Sequence, residues 1–265
     1  MQLSFSFKVC SNDQRIGIDS RTKANSCLSK GITLRISVIV PVGKKDEAWK
    51  SLLPDLCSLD HDDEIIFVSQ EKEESNFANQ VSQCKICATC RWIQSSPGRA
   101  KQLNLGAKEA TNDNLWFLHC DSRISSQGIK NLKNAISKDS SQVLFFNLKF
   151  LNDGLQLMSI NEVGAWIRSR ILRLPFGDQG FCLSKTTFVT LGGFDENAPY
   201  GEDHLLIWKA HQKRIPIGCV GGGLRTSARK YTLQGWSQTT THHVTLTFRQ
   251  AMPELIKLLR DRRPR

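Results

Sequence analysis

The sequence feature that most constrains the fold is an alternation that begins at residue 36. Short β-branched runs bounded by turn residues are each followed by a segment with apolar residues at helical spacing. Five such runs are predicted strands: residues 36–42, 64–70, 91–95, 114–120 and 142–150. Strands that alternate with helices indicate a mainly parallel sheet with helices on both faces. The sequence therefore predicts an α/β fold.

Helical spacing also sets the predicted domain organisation. Helices are predicted at residues 49–56, 98–110, 129–136, 155–174 and 202–213, and a short one runs from Met252 into the tail. A chain of 265 residues suffices for one sizeable core, which we place at residues 35–231. Residues 1–34 show no sustained period and are predicted to be a poorly ordered arm. Residues 232–265 are predicted to be a helical, basic tail.

Charge and cysteine content bound the partners and the compartment. The chain carries 36 Lys and Arg against 25 Asp and Glu, and its net charge of +11 favours nucleotide phosphates, acidic lipid headgroups or nucleic acid. Nine cysteines without a recognisable signal peptide predict a cytoplasmic protein with free thiols and no disulfides. Cys84, Cys87 and Cys90 form a CxxCxxC pattern without a fourth metal ligand nearby, so we interpret them as incidental thiols. No apolar run approaches the roughly 20 residues of a membrane-spanning helix.

The predicted strand ends indicate where a ligand would bind. In an open parallel sheet, ligands bind beyond the carboxyl ends of the strands, which selects residues 41–47, 69–74 and 119–121. A carboxylate at the tip of a buried strand, such as Asp121, is placed to hold Mg²⁺ or Mn²⁺ beside substrate phosphates. Asp121 would serve equally well as the cap of the next turn, and spacing alone leaves both roles open.

From about residue 35 to residue 230, the chain resembles family 2 glycosyltransferases through several motifs in register. These motifs are ISVIVPV, EIIFV, PGRAKQLNLGAKEATNDNLWFLHCDSRI, PFGDQGFCLSKTTFVTLGGFDENAPYGEDHLLIWKAHQKR and TSARK. The chain looks most like the small soluble subgroup of radical-SAM/selenodomain-associated transferases. The resemblance implies a Rossmann-like GT-A fold, with residues 35–231 as the catalytic domain. It also implies a hexosyltransferase that moves a sugar, with inversion, from a nucleotide-diphosphate donor to an unidentified hydroxyl acceptor.

The resemblance also implies which residues bind the donor and a divalent cation. Members of the family carry a D-x-D metal motif at a strand end, where this chain has His119-Cys120-Asp121. Asp121 carries over as the carboxylate ligand of Mg²⁺ or Mn²⁺, and His119 is either a second ligand or a donor contact. The candidate donor-binding residues are His119, Pro41, Glu47, Arg99, Arg225 and Arg229. A helix N-terminus and a guanidinium both favour phosphate at Arg99, although the residues alone favour a solvated surface arginine there.

Acid pairs later in the chain are the candidates for catalysis and acceptor binding. Inversion needs a base that removes the proton of the acceptor hydroxyl. The resemblance places this base at Glu202-Asp203, with Asp203 as the favoured residue, whereas spacing alone favours helix capping. Asp178 and Gln179 resemble an acceptor-side loop that hydrogen-bonds sugar hydroxyls, and their alternative is a plain turn.

Other functions and partners stay open from the sequence. A basic nucleic-acid-binding module would explain the charge, but the sequence lacks a stacking pattern or a helix-turn-helix signature. A non-catalytic relative that binds a nucleotide sugar would explain the lost first acid of the metal motif. The tail from Met252 and the basic helix around residues 168–173 are predicted to rest on an anionic membrane, at its inner face, and to present a lipid-linked acceptor. A packed terminal helix with a solvated basic face is the equal alternative.

Overall fold

The computed structural model describes residues 34–153, 157–229, 231 and 235–261. Nearly all of the predicted N-terminal arm, residues 1–33, lies outside these ranges. The described strands are β1 (Ile36–Val42), β2 (Glu64–Ser69), β3 (Thr89–Gln94), β4 (Asn114–Phe117), β5 (Ser122–Ile124), β6 (Val143–Phe146), β7 (Cys182–Ser184), β8 (Ile217–Gly221) and β9 (Leu224–Thr226). Seven of them form one sheet in the order β3-β2-β1-β4-β7-β6-β8, while β5 and β9 form a separate antiparallel pair.

Helices connect the strands and cover the sheet. The helices are α1 (Trp49–Leu52), α2 (Phe77–Gln83), α3 (Arg99–Glu109), α4 (Ser126–Lys138), α5 (Met158–Trp166), α6 (Lys185–Leu191), α7 (Glu202–Gln212) and α8 (Trp236–Asp261). A 3₁₀ turn (Leu53–Ser58) extends α1, a π-helical turn (Ile167–Ile171) extends α5, and a further 3₁₀ turn covers Gly177–Gln179. Strand β7 runs antiparallel to its neighbours β4 and β6. The other pairs in the sheet, β1 with β2, β1 with β4, β2 with β3 and β6 with β8, are parallel. The sheet is therefore mainly parallel, which confirms the predicted α/β fold.

Strand β1 lies at the centre of two hydrophobic cores, one on each face of the sheet. All seven of its residues are buried. Val38 and Val40 pack in one core with Trp49 of α1, and Ile39 packs in the other with Leu103 of α3. Burying each such side chain contributes about 1.5–3 kcal/mol, which explains why this run is apolar throughout instead of alternating.

The second half of the chain departs most from the predicted elements. Strands β4 and β6 end at Phe117 and Phe146, before the predicted ends at residues 120 and 150, and the sequence did not indicate β7, β8 or β9. The helix predicted over residues 155–174 ends at Ile171, and residues 154–156 lie outside the described ranges. Helix α8 begins at Trp236, which corrects the short helix predicted from Met252. Tertiary contacts override the poor helix propensity of the Thr- and His-rich stretch before residue 248.

The described residues contain free cysteines, and their helices are too short or too polar to cross a membrane. The seven cysteines within the described ranges are free thiols, and burial raises the pKa of Cys90 to about 11. Over the same ranges, no group of three or more His, Cys, Asp or Glu side chains is arranged to hold a metal ion. No helix of the described residues combines the length and the apolarity needed to cross a bilayer.

Candidate functional site

The segments after β1, β4 and β9 bring three charged side chains together at the carboxyl edge of the sheet. The guanidinium of Arg229 donates to Asp46 at 2.9 Å and lies 3.8 Å from Asp121. We call Asp46, Asp121 and Arg229 the outer group. Asp121 follows the end of β4 closely, as the sequence predicts, and its side chain is 24% exposed. The outer group is therefore open to a ligand from solvent.

Burial and neighbouring charges shift the two outer carboxyl groups in opposite directions. Burial raises the pKa of Asp46, but the amide of Ala48 and the guanidinium of Arg229 lower it below its ordinary value. Burial raises the pKa of Asp121 and outweighs the opposing effect of Arg229. When both are ionised, the two carboxyl groups carry one more negative charge than the Arg229 guanidinium neutralises, so the outer group attracts a further cation.

A second group of side chains lies around the first turn of α7. Asp203 accepts a 2.5 Å hydrogen bond from the amide of Gly177, and a Cβ atom on Gly177 would lie only 2.8 Å from both Asp203 and Arg99. Arg99, at the start of α3, donates to Nε2 of His119 and lies 3.3 Å from Glu202. We call Arg99, His119, Asp178, Glu202 and Asp203 the inner group. Only glycine allows the 3₁₀ turn to approach the α7 carboxylate this closely.

Electrostatics fix the charge states within the inner group. Burial raises the pKa of Asp203, but Arg99 and the amide of Gly177 outweigh it, so the net pKa is lowered and the carboxylate is ionised at neutral pH. Burial and the Arg99 charge lower the pKa of His119, so its ring is neutral. The neutral ring accepts the hydrogen bond from Arg99 through Nε2 and fixes the orientation of the guanidinium.

Arg168, in the π-helical turn, lies close to Asp178 of the inner group. The Arg168 guanidinium lies 3.2 Å from the centre of the Phe176 ring, and burial lowers its pKa to about 10. Burial raises the pKa of Asp178 to about 6, against the attraction of Arg168. Nη1 of Arg168, Oδ1 of Asp178 and Oε1 of Glu202 are buried without a hydrogen-bond partner. Oε1 of Glu202 still lies 3.3 Å from Nε of Arg99, which leaves the atoms of Arg168 and Asp178 without a partner. Buried polar atoms are nearly always satisfied, so two such atoms at one site favour a polar ligand.

Four predicted site residues lie elsewhere or are already engaged. Gln179 is fully buried and bonds to Phe146, so it positions the 3₁₀ turn and is not free to contact a sugar. Glu47 is mostly exposed and pairs with Lys50, whereas its neighbour Asp46 pairs with Arg229, so the donor contact expected of Glu47 stays a prediction. Arg225 is exposed on β9, and the buried Leu224 and Thr226 beside it point inward instead. Pro41 is buried within β1, so its ring packs in the sheet.

Sequence reasoning missed Asp46 and the inward direction of Arg168. Asp46 stands beside Glu47, and only the turn after β1 determines which of the two acids faces Arg229. Arg168 was expected on the basic face of an amphipathic helix. The π-helical turn places its guanidinium over Phe176 instead. A π-helical turn within a helix is itself a frequent mark of functional sites, but no sequence pattern predicts it.

The outer group fits a divalent cation only together with a donor. Mg²⁺ is usually bound by one or two carboxylates and by substrate phosphates. Asp46 and Asp121 supply the two carboxylates, both facing the same guanidinium nitrogen of Arg229. His119 bonds to Arg99 through Nε2, so its predicted place among the ligands stays a prediction.

Comparisons with known proteins place this arrangement in a known fold. No protein-family model matches the sequence, and no curated protein sequence matches it. Among solved structures, S. aureus TarS 1-349 in complex with UDP-GlcNAc is similar, with TM-score 0.56 and 20% identity, over 73% of this chain and 58% of that chain. The mannosyltransferase PcManGT from Pyrobaculum calidifontis, in complex with GDP-Man and Mn²⁺, has TM-score 0.61 and 14% identity, over 86% of this chain and 68% of that chain.

GalNAc-T7 with UDP, GalNAc and Mn²⁺ is similar at TM-score 0.52 and 12% identity, over 73% of this chain and 44% of that chain. This chain spans only 37% of another TarS chain that it matches, so it covers part of such proteins. Identities this low establish the fold alone. The chain has the GT-A fold, the mainly parallel α/β architecture of these glycosyltransferases.

Proposed function

We propose that this protein is an inverting, hexosyltransferase-type enzyme of glycosyltransferase family 2, in the radical-SAM/selenodomain-associated subgroup. It would move a sugar from a nucleoside diphosphate to a hydroxyl group of an acceptor. The observation that carries the proposal is the pair of buried polar atoms without a hydrogen-bond partner, Nη1 of Arg168 and Oδ1 of Asp178, beside the ionised carboxylate of Asp203. The similar structures hold UDP-GlcNAc, GDP-Man, or UDP with GalNAc, which supports a nucleotide sugar as the donor.

In the proposed reaction, Asp203 is the base. Its carboxylate accepts the proton of the acceptor hydroxyl while the hydroxyl oxygen forms a bond to the anomeric carbon. The bond between that carbon and the donor phosphate breaks, and its electron pair leaves with the nucleoside diphosphate. Attack opposite the leaving group inverts the anomeric configuration. Asp203 is ionised at neutral pH, which prepares it for this role.

Positive charge would stabilise the departing diphosphate. Arg99 stands at the N-terminus of α3 and Arg229 at the outer group, and both would face negative charge that grows in the transition state. A divalent cation, Mg²⁺ or Mn²⁺, would be held by Asp121 and Asp46 and would act as a Lewis acid on the phosphate oxygens. The unpartnered atoms of Asp178 and Arg168 would bind acceptor hydroxyl groups.

A donor screen tests the proposal. Purified protein is heated with UDP-, GDP- and dTDP-sugars in the presence of MnCl₂, MgCl₂ or EDTA, and donor hydrolysis is followed by release of the nucleoside diphosphate. A donor at about 100 times its Kd stabilises the folded state by about 2.7 kcal/mol, which is a rise in Tm of several degrees.

The outcomes separate the candidate functions. A rise in Tm with slow hydrolysis supports the transferase, and a larger rise with metal than with EDTA supports the cation. Binding without any turnover, with acceptor mixtures supplied, favours a non-catalytic nucleotide-sugar-binding protein. Absence of binding by every donor overturns the proposal.

A further inference from the structure

Exposed apolar side chains are concentrated on two segments of the chain. Of the 14 large hydrophobic residues that are exposed within the described ranges, 13 lie in residues 157–172 or 244–259, and the other is Val189. Scattered exposed hydrophobic residues need no explanation, but a concentration on two neighbouring elements marks an interaction surface. We call these two segments the two-helix face.

On each segment most of the exposed apolar residues form one stripe, and Leu157, Trp166 and Leu172 are exposed beside it. In α8 they are spaced as on one side of a helix: Val244, Phe248, Met252, Leu255, Ile256 and Leu259. Gln250 and Glu254, which bond to the rest of the protein, lie on the other side of α8. In the other segment, Ile160, Val163, Ile167 and Ile171 are exposed, while Ala165 and Ser169 are buried. Each segment is therefore amphipathic and is anchored by its polar or buried side.

Hydrogen bonds join the two segments to each other at one end and to a common helix at the other. At one end, Asn161 donates to Thr240 at 3.2 Å and accepts a hydrogen bond from Trp236 at 2.8 Å. At the other end, both segments are held by the end of α7. His211 donates to the carbonyl oxygen of Arg173 at 2.8 Å, and the next residue, Gln212, donates to Glu254 at 2.8 Å. The two stripes are therefore carried by neighbouring elements that are anchored at both ends.

The charges around the two-helix face select its occupant. Within the described residues 157–173 and 236–261 there are six Arg or Lys residues, of which Arg168 is turned toward Phe176, and three acids. Two of the acids are already paired, Glu162 with Lys149 at 2.5 Å and Glu254 with Lys257 at 2.6 Å. Protein interfaces deplete charge at their centre, whereas helices that lie in the interface of an anionic bilayer combine an apolar stripe with flanking Arg and Lys.

We propose that the two-helix face docks the protein on the surface of an anionic lipid bilayer, with both apolar stripes inserted among the headgroups. Arg170 and Arg173, which are exposed, contact the lipid phosphates. A consequence rests on the proposed sugar transfer. Arg168 belongs to the same segment and reaches the inner group, so the acceptor is an amphiphile whose hydroxyl enters the site from the bilayer.

Vesicle flotation of the whole chain tests the docking, and it needs neither donor nor acceptor. Phosphatidylcholine vesicles are compared with vesicles that also contain phosphatidylglycerol, at low and raised salt. The variants Phe248→Glu and Ile167→Glu each place a charge on one stripe. Val189→Glu is the matched control, because Val189 is 70% exposed and Phe248 65%, and Val189 lies outside the two-helix face. Circular dichroism and size-exclusion chromatography check folding and oligomeric state.

We expect binding to the anionic vesicles, weaker binding to neutral ones and a decrease with salt. Each stripe variant weakens binding about tenfold or more, because a buried apolar side chain contributes about 1.5–3 kcal/mol, and Val189→Glu leaves binding unchanged. The proposal is overturned if the wild-type chain does not float with anionic vesicles or if the control weakens binding equally. It is also overturned if the wild type is a dimer that Phe248→Glu dissociates, since a second copy then covers the face. Donor binding is measured on the same variants. If a variant that no longer binds vesicles still binds the donor, the docking and the proposed sugar transfer are tested independently.

Discussion

Buried carboxylates occur at both edges of the sheet, but the two edges differ in how completely these groups are hydrogen-bonded. At the amino edge, Glu64 accepts hydrogen bonds from Ser37, from the amide and hydroxyl of Thr111, and from Arg91, all between 2.5 and 2.8 Å. Asp63 beside it is equally satisfied, by the amide of Ile36 and by other donors. At the carboxyl edge, Nη1 of Arg168 and Oδ1 of Asp178 have no hydrogen-bond partner, and Oε1 of Glu202 has only the ion pair with Arg99.

On the proposed function, this difference separates charge that stabilises the fold from charge that serves a ligand. A fully bonded buried carboxylate holds strands in place, and losing one partner is costly. An unsatisfied polar atom lowers stability and is retained where a ligand completes its hydrogen bonds. The carboxyl edge should therefore affect transfer more than folding, and the amino edge should do the reverse.

Asp203→Asn should give the largest effect and should change transfer far more than stability. The asparagine oxygen still accepts the hydrogen bond from Gly177, but the side chain no longer takes up a proton. We expect the rate constant to fall about 10²- to 10⁴-fold. Tm should fall slightly, because Arg99 and the Gly177 amide stabilise the ionised carboxylate. Initial rates with the donor found in the screen measure the rate constant. Asp195→Asn, in the loop before α7, is the control, and a loss below threefold at Asp203 would place the base elsewhere.

Glu64→Gln should lower stability and leave donor binding unchanged. The change removes the ion pair with Arg91 and turns one acceptor of a fully bonded carboxylate into a donor. We expect unfolding free energy to fall by about 3 kcal/mol, measured by urea titration, while donor Kd stays the same. Glu109→Gln, an exposed acid next to the same arginine, should cost under about 0.5 kcal/mol. Equal losses for the two variants would contradict the structural role of the amino edge.

The sequence predicts the first half of the fold well because its strands are long and apolar. Strand β1 has seven buried residues, and the pattern of α3 follows at helical spacing. Strands β5, β7 and β9 have three residues each, too few for a period to be visible. The start of α8 is equally hidden, because contacts such as that of Trp236 with Asn161 determine it.

The same limits apply to the candidate site. Motif resemblance located Asp121, Arg99, Asp178 and Asp203, and the structure brings them to one edge of the sheet. It pointed to Glu47, whereas in the structure the neighbouring Asp46 pairs with Arg229, because neighbouring residues in a turn point to different sides. Such choices depend on backbone geometry that a local pattern does not encode.

Asp178→Asn tests the difference between the two edges through the pH dependence of the unfolding free energy, and its expected effect is the smallest of the three. Burial raises the pKa of Asp178 from 3.8 to about 6, so the folded state favours the protonated acid. Stability from this group is therefore full below the ordinary pKa and is lost as pH rises to about 6. Glu64 behaves in the opposite sense. Its pKa is lowered, since hydrogen bonds from Ser37 and Thr111 outweigh burial, and its contribution is lost on acidification.

Asparagine mimics the neutral acid, so Asp178→Asn should raise the unfolding free energy near neutral pH and leave it unchanged near pH 4. We expect a gain of about 1 kcal/mol, because solvent screening leaves only part of the roughly 1.4 kcal/mol that each pKa unit carries. Urea titrations across this pH range measure the difference between the two proteins. A gain in stability together with weaker acceptor use would be the cost expected where unsatisfied charge serves a ligand. Parallel pH profiles for both proteins would mean that the carboxyl of Asp178 is ionised in the folded state, and the contrast between the two edges would then rest on hydrogen bonding alone.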